Sequence, residues 1–488
     1  MKNRVSLLIL FLFISGCQKV EFSHRAEYYD LEPYAQEFVD QVLTKHFGTV
    51  TDMVIWDRLK LQGNLAQGKV ELASNESGKT RLVLNLTSQS ELEITPGTEI
   101  LWLNGDLSGK ESGWIAEWNP LTQTATLETR LETLPVAGTE VIIGPGQVLV
   151  QGRHLYAEHC QHCHGVTGDG AGPTAQYLNP LPRDYRRGIY KFTLTQATER
   201  ASREDLTRIL VEGIPGTYMP SFKLMSPGEM QATVEYVLWL SMRGEVEQQA
   251  IRLVAGDFSK QAVQERVEKG LKEKAEGEED FETAEGIKEE FLELANDPDE
   301  LLSELMDSVD VMVSRWESAQ EPDSQVVPKE KWVGNDPASV ERGRKLYLSA
   351  DLNCFACHGE AGFGDGPQTF AITKDLMTGK DNPLPGLYDA WGNPSPPRNL
   401  HQGIYRGGRR PIDLYARIHA GIKGTAMPAF GTKLKDQEIW DIVNFVYSVP
   451  FEAPRAGDGL KVPAANVPTA APPSASNSAA TQDEVVSK

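Results

Sequence analysis

Two short stretches of the chain could do chemistry. "CQHCH" brings Cys160, Cys163 and His164 together, and "CFACH" does the same with Cys354, Cys357 and His358. Thiols at this spacing can close a disulfide, act as a redox pair, supply half of a zinc site or bond covalently to a porphyrin. Cys-x-x-Cys-His is the attachment signature of c-type haem. There, two thioethers fix the macrocycle to a short turn and the next imidazole faces the iron. A zinc site needs further ligands, and "CFACH" offers one histidine. A thioredoxin-like pair would follow a strand, and neither copy shows one.

The two motifs belong to a longer repeat. "GRHLYAEHCQHCHG" answers to "GRKLYLSADLNCFACHG", then "GDG" recurs at 168–170 and 364–366 and "GIY" at 188–190 and 403–405. "GIPGTYMPSF" and "GIKGTAMPAF" close the two copies, so Met219-Pro220 and Met427-Pro428 hold equivalent places. A thioether is a soft iron ligand and raises the reduction potential when paired with His. A zinc site leaves this repeated methionine unexplained. The cofactors expected are therefore two covalently bound haem c, with His164 and Met219 on one iron and His358 and Met427 on the other. Other candidate ligands are His154, His159, His162, His401, His419 and Met225. Met225 has no counterpart in the second copy.

Residues 150–243 and 340–449 each resemble a class I cytochrome c domain. That family is a small all-α fold in which an N-terminal helix crosses a C-terminal one and the haem lies in the cleft. The local patterns agree: Gly152 and Tyr156 are four apart, as are Gly343 and Tyr347, so a glycine permits a close crossing beside an aromatic ring. Helical spacing recurs late in each copy, at Val234, Val237, Leu238 and Trp239 and at Ile439, Ile442, Val443 and Val446. The second copy carries an insertion, "LPGLYDAWGNPSPP", rich in Gly and Pro and read as a loop. Arg183 and Arg398 precede the two "GIY" stretches, where a guanidinium could pair a haem propionate; a solvent-exposed role is the alternative.

The rest of the chain is different in kind. "MKNRVSLLILFLFISGC" has a basic start and an apolar run too short to span a bilayer, so it reads as an export signal over 1–16. Ile14-Ser15-Gly16-Cys17 resembles the lipobox of bacterial lipoproteins, which implies cleavage before Cys17, a lipid anchor there, and a periplasmic, membrane-anchored protein. Residues 17–147 are expected to hold an N-terminal helix over 29–47 and a small antiparallel β-domain, with alternating stretches "KVELAS", "TRLVLNLTS", "ELEITPG" and "ATLETRLE". Residues 245–330 form an acidic, partly helical connector: 245–325 holds 24 acidic against 8 basic residues, most of the chain's net charge of −21. The second cytochrome unit takes 335–451, and the Pro/Ala/Ser-rich stretch 452–488 reads as a disordered tail. The fold class expected is multidomain α+β, two all-α cytochrome domains preceded by the β-domain.

The resemblance implies an electron carrier with no open iron position, hence no catalytic residue. An acidic surface repels nucleic acid and favours basic redox partners; a purely solubilising linker is the alternative reading of the same charge. "NPLPRDYRRGIYKFT" also resembles cytochrome subunits of membrane respiratory complexes, including the lipoprotein cytochromes of alternative complex III, which implies such a complex as partner. Two other classes stay open. One is a dihaem enzyme of the peroxidase or thiosulfate-oxidising type. The other is a haem subunit of a larger oxidase or dehydrogenase.

Overall fold

The computed structural model describes residues 20–56, 58–62, 65–89, 93–108, 113–276, 281–334 and 336–452. The expected export signal, Cys17 and the stretch from 453 onward lie outside the described residues.

The chain enters through helix α1 (Pro33–Phe47), started by a proline in its first turn. Six strands follow: β1 (Ala66–Glu76), β2 (Lys79–Gln89), β3 (Thr98–Trp102), β4 (Gly113–Asn119), β5 (Thr124–Leu127) and β6 (Glu140–Ile143). They close an antiparallel barrel in the order β1-β2-β5-β4-β3-β6. Ser77 and Gly78 link β1 to β2 with φ of 52° and 80°, the turn whose twist matches paired strands. Alternation in the sequence marks β1, β2 and β5 but misses β3, β4 and β6. The reason lies in what covers them. Ile100 and Trp102 of β3 fill the barrel while Leu101 packs into a helical core; Val141 and Ile143 of β6 do the same with Ile142. A strand buried on both sides shows no alternation. In β4 the outward Trp114 is apolar and hides the pattern. "ELEITPG" forms no strand in its described part, 93–97, although Ile94 is buried.

Helix α2 (Pro145–His159) leads into the one-turn helix α3 (Gln161–His164). Helix α4 (Arg203–Glu212) and the 32-residue α5 (Pro227–Phe258) complete the first repeat copy. The expected crossing is present. A Cβ on Gly152 would stand 2.2 Å from the Ala232 carbonyl oxygen, so α2 and α5 touch backbone to backbone. The Tyr156 ring packs 5.2 Å from that of Tyr236.

The acidic segment is mostly helical and packs closely. Helix α5 runs on past residue 243 without a break and receives α6 (Lys260–Ala275), α7 (Ala284–Asn296) and α8 (Leu301–Ser318). Ile287, Phe291, Leu305, Val309, Met312 and Trp316 are buried, while Glu304, Asp307 and Asp310 face solvent. Trp316 Nε1 donates to the buried carboxylate of Glu245 at 2.8 Å, and Arg200 pairs with the same group. One apolar core thus runs from Tyr28 to Trp316.

The second copy has its own core. It is built from α9 (Pro337–Tyr347), the one-turn α10 (Phe355–His358), α11 (Pro411–Ala420) and α12 (Asp436–Ser448). Gly343 makes the α9–α12 crossing: a Cβ there would lie 1.9 Å from the Asp441 carbonyl oxygen. Tyr347 lies 5.0 Å from Phe445. Among the described residues no helix is long and apolar enough to cross a membrane.

Candidate cofactor-binding sites

Each thiol pair sits where a long helix gives way to a single turn. Cys160 ends α2, and His164 N–H donates to its carbonyl at 2.9 Å; His358 and Cys354 repeat this at 3.0 Å. Gly165 and Gly359 follow with φ of 76° and 79°, turning the chain off the motif. The tyrosine of each crossing secures that turn, Tyr156 Oη donating to the Gly165 carbonyl at 2.8 Å and Tyr347 Oη to that of Gly359 at 2.5 Å. All four thiols are free of disulfides. Burial pushes the Cys160 thiol up to about 12 and that of Cys354 up to about 11. Both are protonated thiols in these surroundings. Among the described residues no further His, Cys, Asp or Glu gathers with either pair into a zinc-like set.

The two motif histidines are held alike. His164 is buried, stacks on Tyr185 at 4.7 Å, and places Nδ1 3.1 Å from the Arg183 carbonyl. Burial depresses it to about 4 against the pull of that carbonyl. The imidazole is therefore neutral, with its Nδ1–H spent on the backbone and the lone pair left on Nε2. For His358, burial also lowers the pKa and the Arg398 backbone opposes it, although this pair stays short of full hydrogen-bond geometry. Arg183 thus serves through its carbonyl, a role that sequence reasoning missed.

The methionine loops share one network. Ile214 N–H donates to the Met219 carbonyl at 3.1 Å, and Met219 N–H donates to Thr217 Oγ1 at 3.1 Å. Ile422, Met427 and Thr425 repeat this at 3.2 and 3.2 Å. The threonine hydroxyls donate back to Ile214 and Ile422 at 2.8 and 2.7 Å. Gly213 and Gly421 stand against these loops, where a Cβ would lie 2.8 Å from the Met219 or Met427 carbonyl oxygen. The repeated "GT" before each Met-Pro carried this signal in the sequence. Met219 packs partly buried against the first core and Met427 against the second.

The other candidate residues have the following surroundings. Met225 lines a cleft between α4 and α5 with Met230, Val234 and Glu235. His154 and His162 are exposed. His159 lies beside Phe222, and His419 stacks on Tyr415. His401 bonds the Ala361 carbonyl at 2.9 Å and stacks on Phe363.

The two copies meet with these loops face to face. A Cβ at Gly216 would touch Ile404 Cγ2 at 3.3 Å, and one at Gly424 would touch Ile189 Cγ2 at 3.1 Å. Each half thus offers the isoleucine of its "GIY" to the glycine of the other's methionine loop. Lys423 Nζ donates to Thr195 Oγ1 at 2.6 Å, and Arg410 pairs with Glu212 at 2.9 Å. Cations crowd the seam: Arg183, Arg187, Lys191, Arg398 and Arg406. Buried Arg187 Nε, Arg406 Nε and Trp391 Nε1 have no acceptor among the described residues. Donors left over at such a seam suit a group that brings carboxylates, as a haem does through its propionates. Together with free thiols, neutral imidazoles and thioethers, this donor set fits haem c.

The cytochrome c family model matches residues 149–241 and 340–450. A chain of the Kuenenia stuttgartiensis reducing HAO-like protein complex is similar at 22% identity and a TM-score of 0.39, over 61% of this chain and 95% of that one. No curated protein matches the chain. Both Cys-x-x-Cys-His motifs therefore lie inside the two segments that the cytochrome c model matches.

Proposed function

We propose that the protein is a membrane-anchored dihaem electron carrier that passes single electrons between respiratory redox partners. Cys160 and Cys163 hold one haem c and Cys354 and Cys357 the other. His164 with Met219, and His358 with Met427, would ligate the two irons. Bound haem iron supplies the chemistry by cycling between ferric and ferrous. The chain's own residues set the terms for it. Burial keeps the histidines neutral, the Arg183 carbonyl aims His164, and Thr217 and Thr425 fix the loops that present the thioethers. Cys17 carries the lipid in this reading, and the acidic helices α6 to α8 favour partners with basic docking faces.

The observation that supports it most is the duplication. The same turn, the same neutral imidazole and the same threonine-pinned methionine loop occur twice, each within a cytochrome c segment. The test is haem stoichiometry. Acid–acetone extraction should leave the colour on the polypeptide, and intact mass should show two haems per chain. One haem or none refutes the dihaem reading. For the anchor, Cys17→Ser should move the protein from the membrane to the soluble fraction; equal membrane retention would refute lipidation at Cys17.

A further inference from the structure

The insertion that only the second copy carries does not stay in the second copy. Its residues 387–390 are buried. Asp389 receives Lys191 of the first copy at 2.7 Å, and the Ala390 carbonyl accepts from Arg187 Nη1 at 2.5 Å. Next to them the Trp391 ring lies 3.7 Å from the Arg183 guanidinium carbon, a stacked cation. The other edge of the indole reaches back into its own half. A Cβ at Gly424 would lie 2.8 Å from Trp391 Cζ3, and Gly424 is three residues before Met427.

One side chain therefore touches both sites. Arg183 is the residue whose carbonyl orients His164. Gly424 belongs to the loop that Thr425 pins around Met427. Among the described residues the Arg183 guanidinium forms no ion pair, since nearby Asp389 is taken by Lys191. The indole N–H beside it also lacks an acceptor. A half-buried cation stacked on an indole whose buried N–H lacks an acceptor marks a place for an anion.

We propose that Trp391 couples the two cofactor sites. It stacks on the first site's Arg183, braces the second site's methionine loop, and with Arg183 offers its N–H to a cofactor carboxylate at the seam. Reduction of one site then alters the electron affinity of the other. The proposal rests on the haem reading above. It makes Trp391 a positioning residue for both sites although it belongs to the sequence of one.

An optical redox titration of the full-length holoprotein tests this. Trp391→Leu should shift both midpoints, each by about a threefold change in electron affinity, or about 28 mV at 59 mV per tenfold for one electron. Trp391→Phe keeps a ring on Arg183 but loses the N–H, and should shift both midpoints by less. If only one midpoint moves, or neither moves while thermal stability falls, the coupling is overturned and Trp391 is structural. Should the leucine variant fail to accumulate, the phenylalanine variant decides by the same criterion. Haem stoichiometry keeps the two readings apart. Fewer than two haems in the wild type overturns the proposed function and the coupling with it, whereas two haems with a single responsive midpoint overturns the coupling alone.

Discussion

The Phe192 ring rests on Gly407, and these two residues hold the same position in the two repeat copies, two places after the tyrosine of "GIY". Equivalent residues of two copies meet where a rotation axis passes between them, and reciprocal contacts make that axis two-fold. The reciprocal contacts of Gly216 with Ile404 and Gly424 with Ile189 lie around the same axis. The halves thus pair as an isologous dimer would, inside one chain. The axis is broken chemically: one copy puts an aromatic ring there and the other leaves room for it.

That contact is testable by a double-mutant cycle. A Cβ on Gly407 would stand 2.5 Å from the Phe192 ring, and φ there is 80°. Gly407→Ala should cost about 2 kcal/mol from overpacking and left-handed strain together. Phe192→Ala empties the space, so the double variant should recover about 1 kcal/mol relative to the sum of the singles. Denaturant unfolding measures all four proteins. Additivity within about 0.5 kcal/mol would mean the two residues do not meet.

The helix crossings give a second expectation. At Gly343 the Asp441 carbonyl leaves no room for any side chain. Gly343→Val should force α9 from α12 and open the second site while leaving the first intact. Intact-mass analysis should then find one haem fewer, with the α2–α5 half still loaded. A variant that retains its full haem complement would show that the crossing is not needed to hold the group.

The legible parts of this molecule were those that repeat. Cys-x-x-Cys-His, Gly152 with Tyr156, and Met219 with Met427 are local signals, and a second copy separates them from chance. Packing across the seam was not legible, because it depends on which surfaces meet. Arg183 was noticed for its guanidinium, yet its carbonyl aims His164 and its charge stacks on Trp391, 208 positions away. Gly and Pro in the insertion announced a loop truthfully and said nothing of its burial. The connector's charge drew attention to solvent, whereas its apolar stripe, with Trp316 on Glu245, made it part of the first core.

Glu245 predicts a pH dependence. Burial raises its carboxyl to about 7, against the pull of Arg200, Arg315 and the Trp316 N–H. The folded protein then keeps a proton that the unfolded chain releases near its ordinary pKa of 4.5. Its stabilising contribution is full below that pH and is lost as pH rises through about 7. The loss amounts to about 3 kcal/mol at most. Glu245→Gln has no proton to lose, so the stability of the wild type minus that of the variant should fall between pH 5 and pH 8. Parallel curves over that interval would show an ordinary carboxylate.

The methionines allow the sharpest separation of ligand from bystander. Met219 and Met427 sit in loops with the same hydrogen bonds, whereas Met225 lines a cleft and has no equivalent. Replacing either loop methionine with alanine removes a thioether that favours the ferrous state. One of the two haems should lose its sulfur-to-iron absorption band and bind its electron more than tenfold more weakly, about 59 mV for each tenfold. Met225→Ala should leave both bands and both midpoints in place. Thr217→Val tests the positioning itself, because it leaves Met219 N–H without its acceptor while keeping the sulfur. Its band should weaken and its midpoint fall, but by less than in Met219→Ala. The reading fails for the first site if Met219→Ala is silent and Met225→Ala is not.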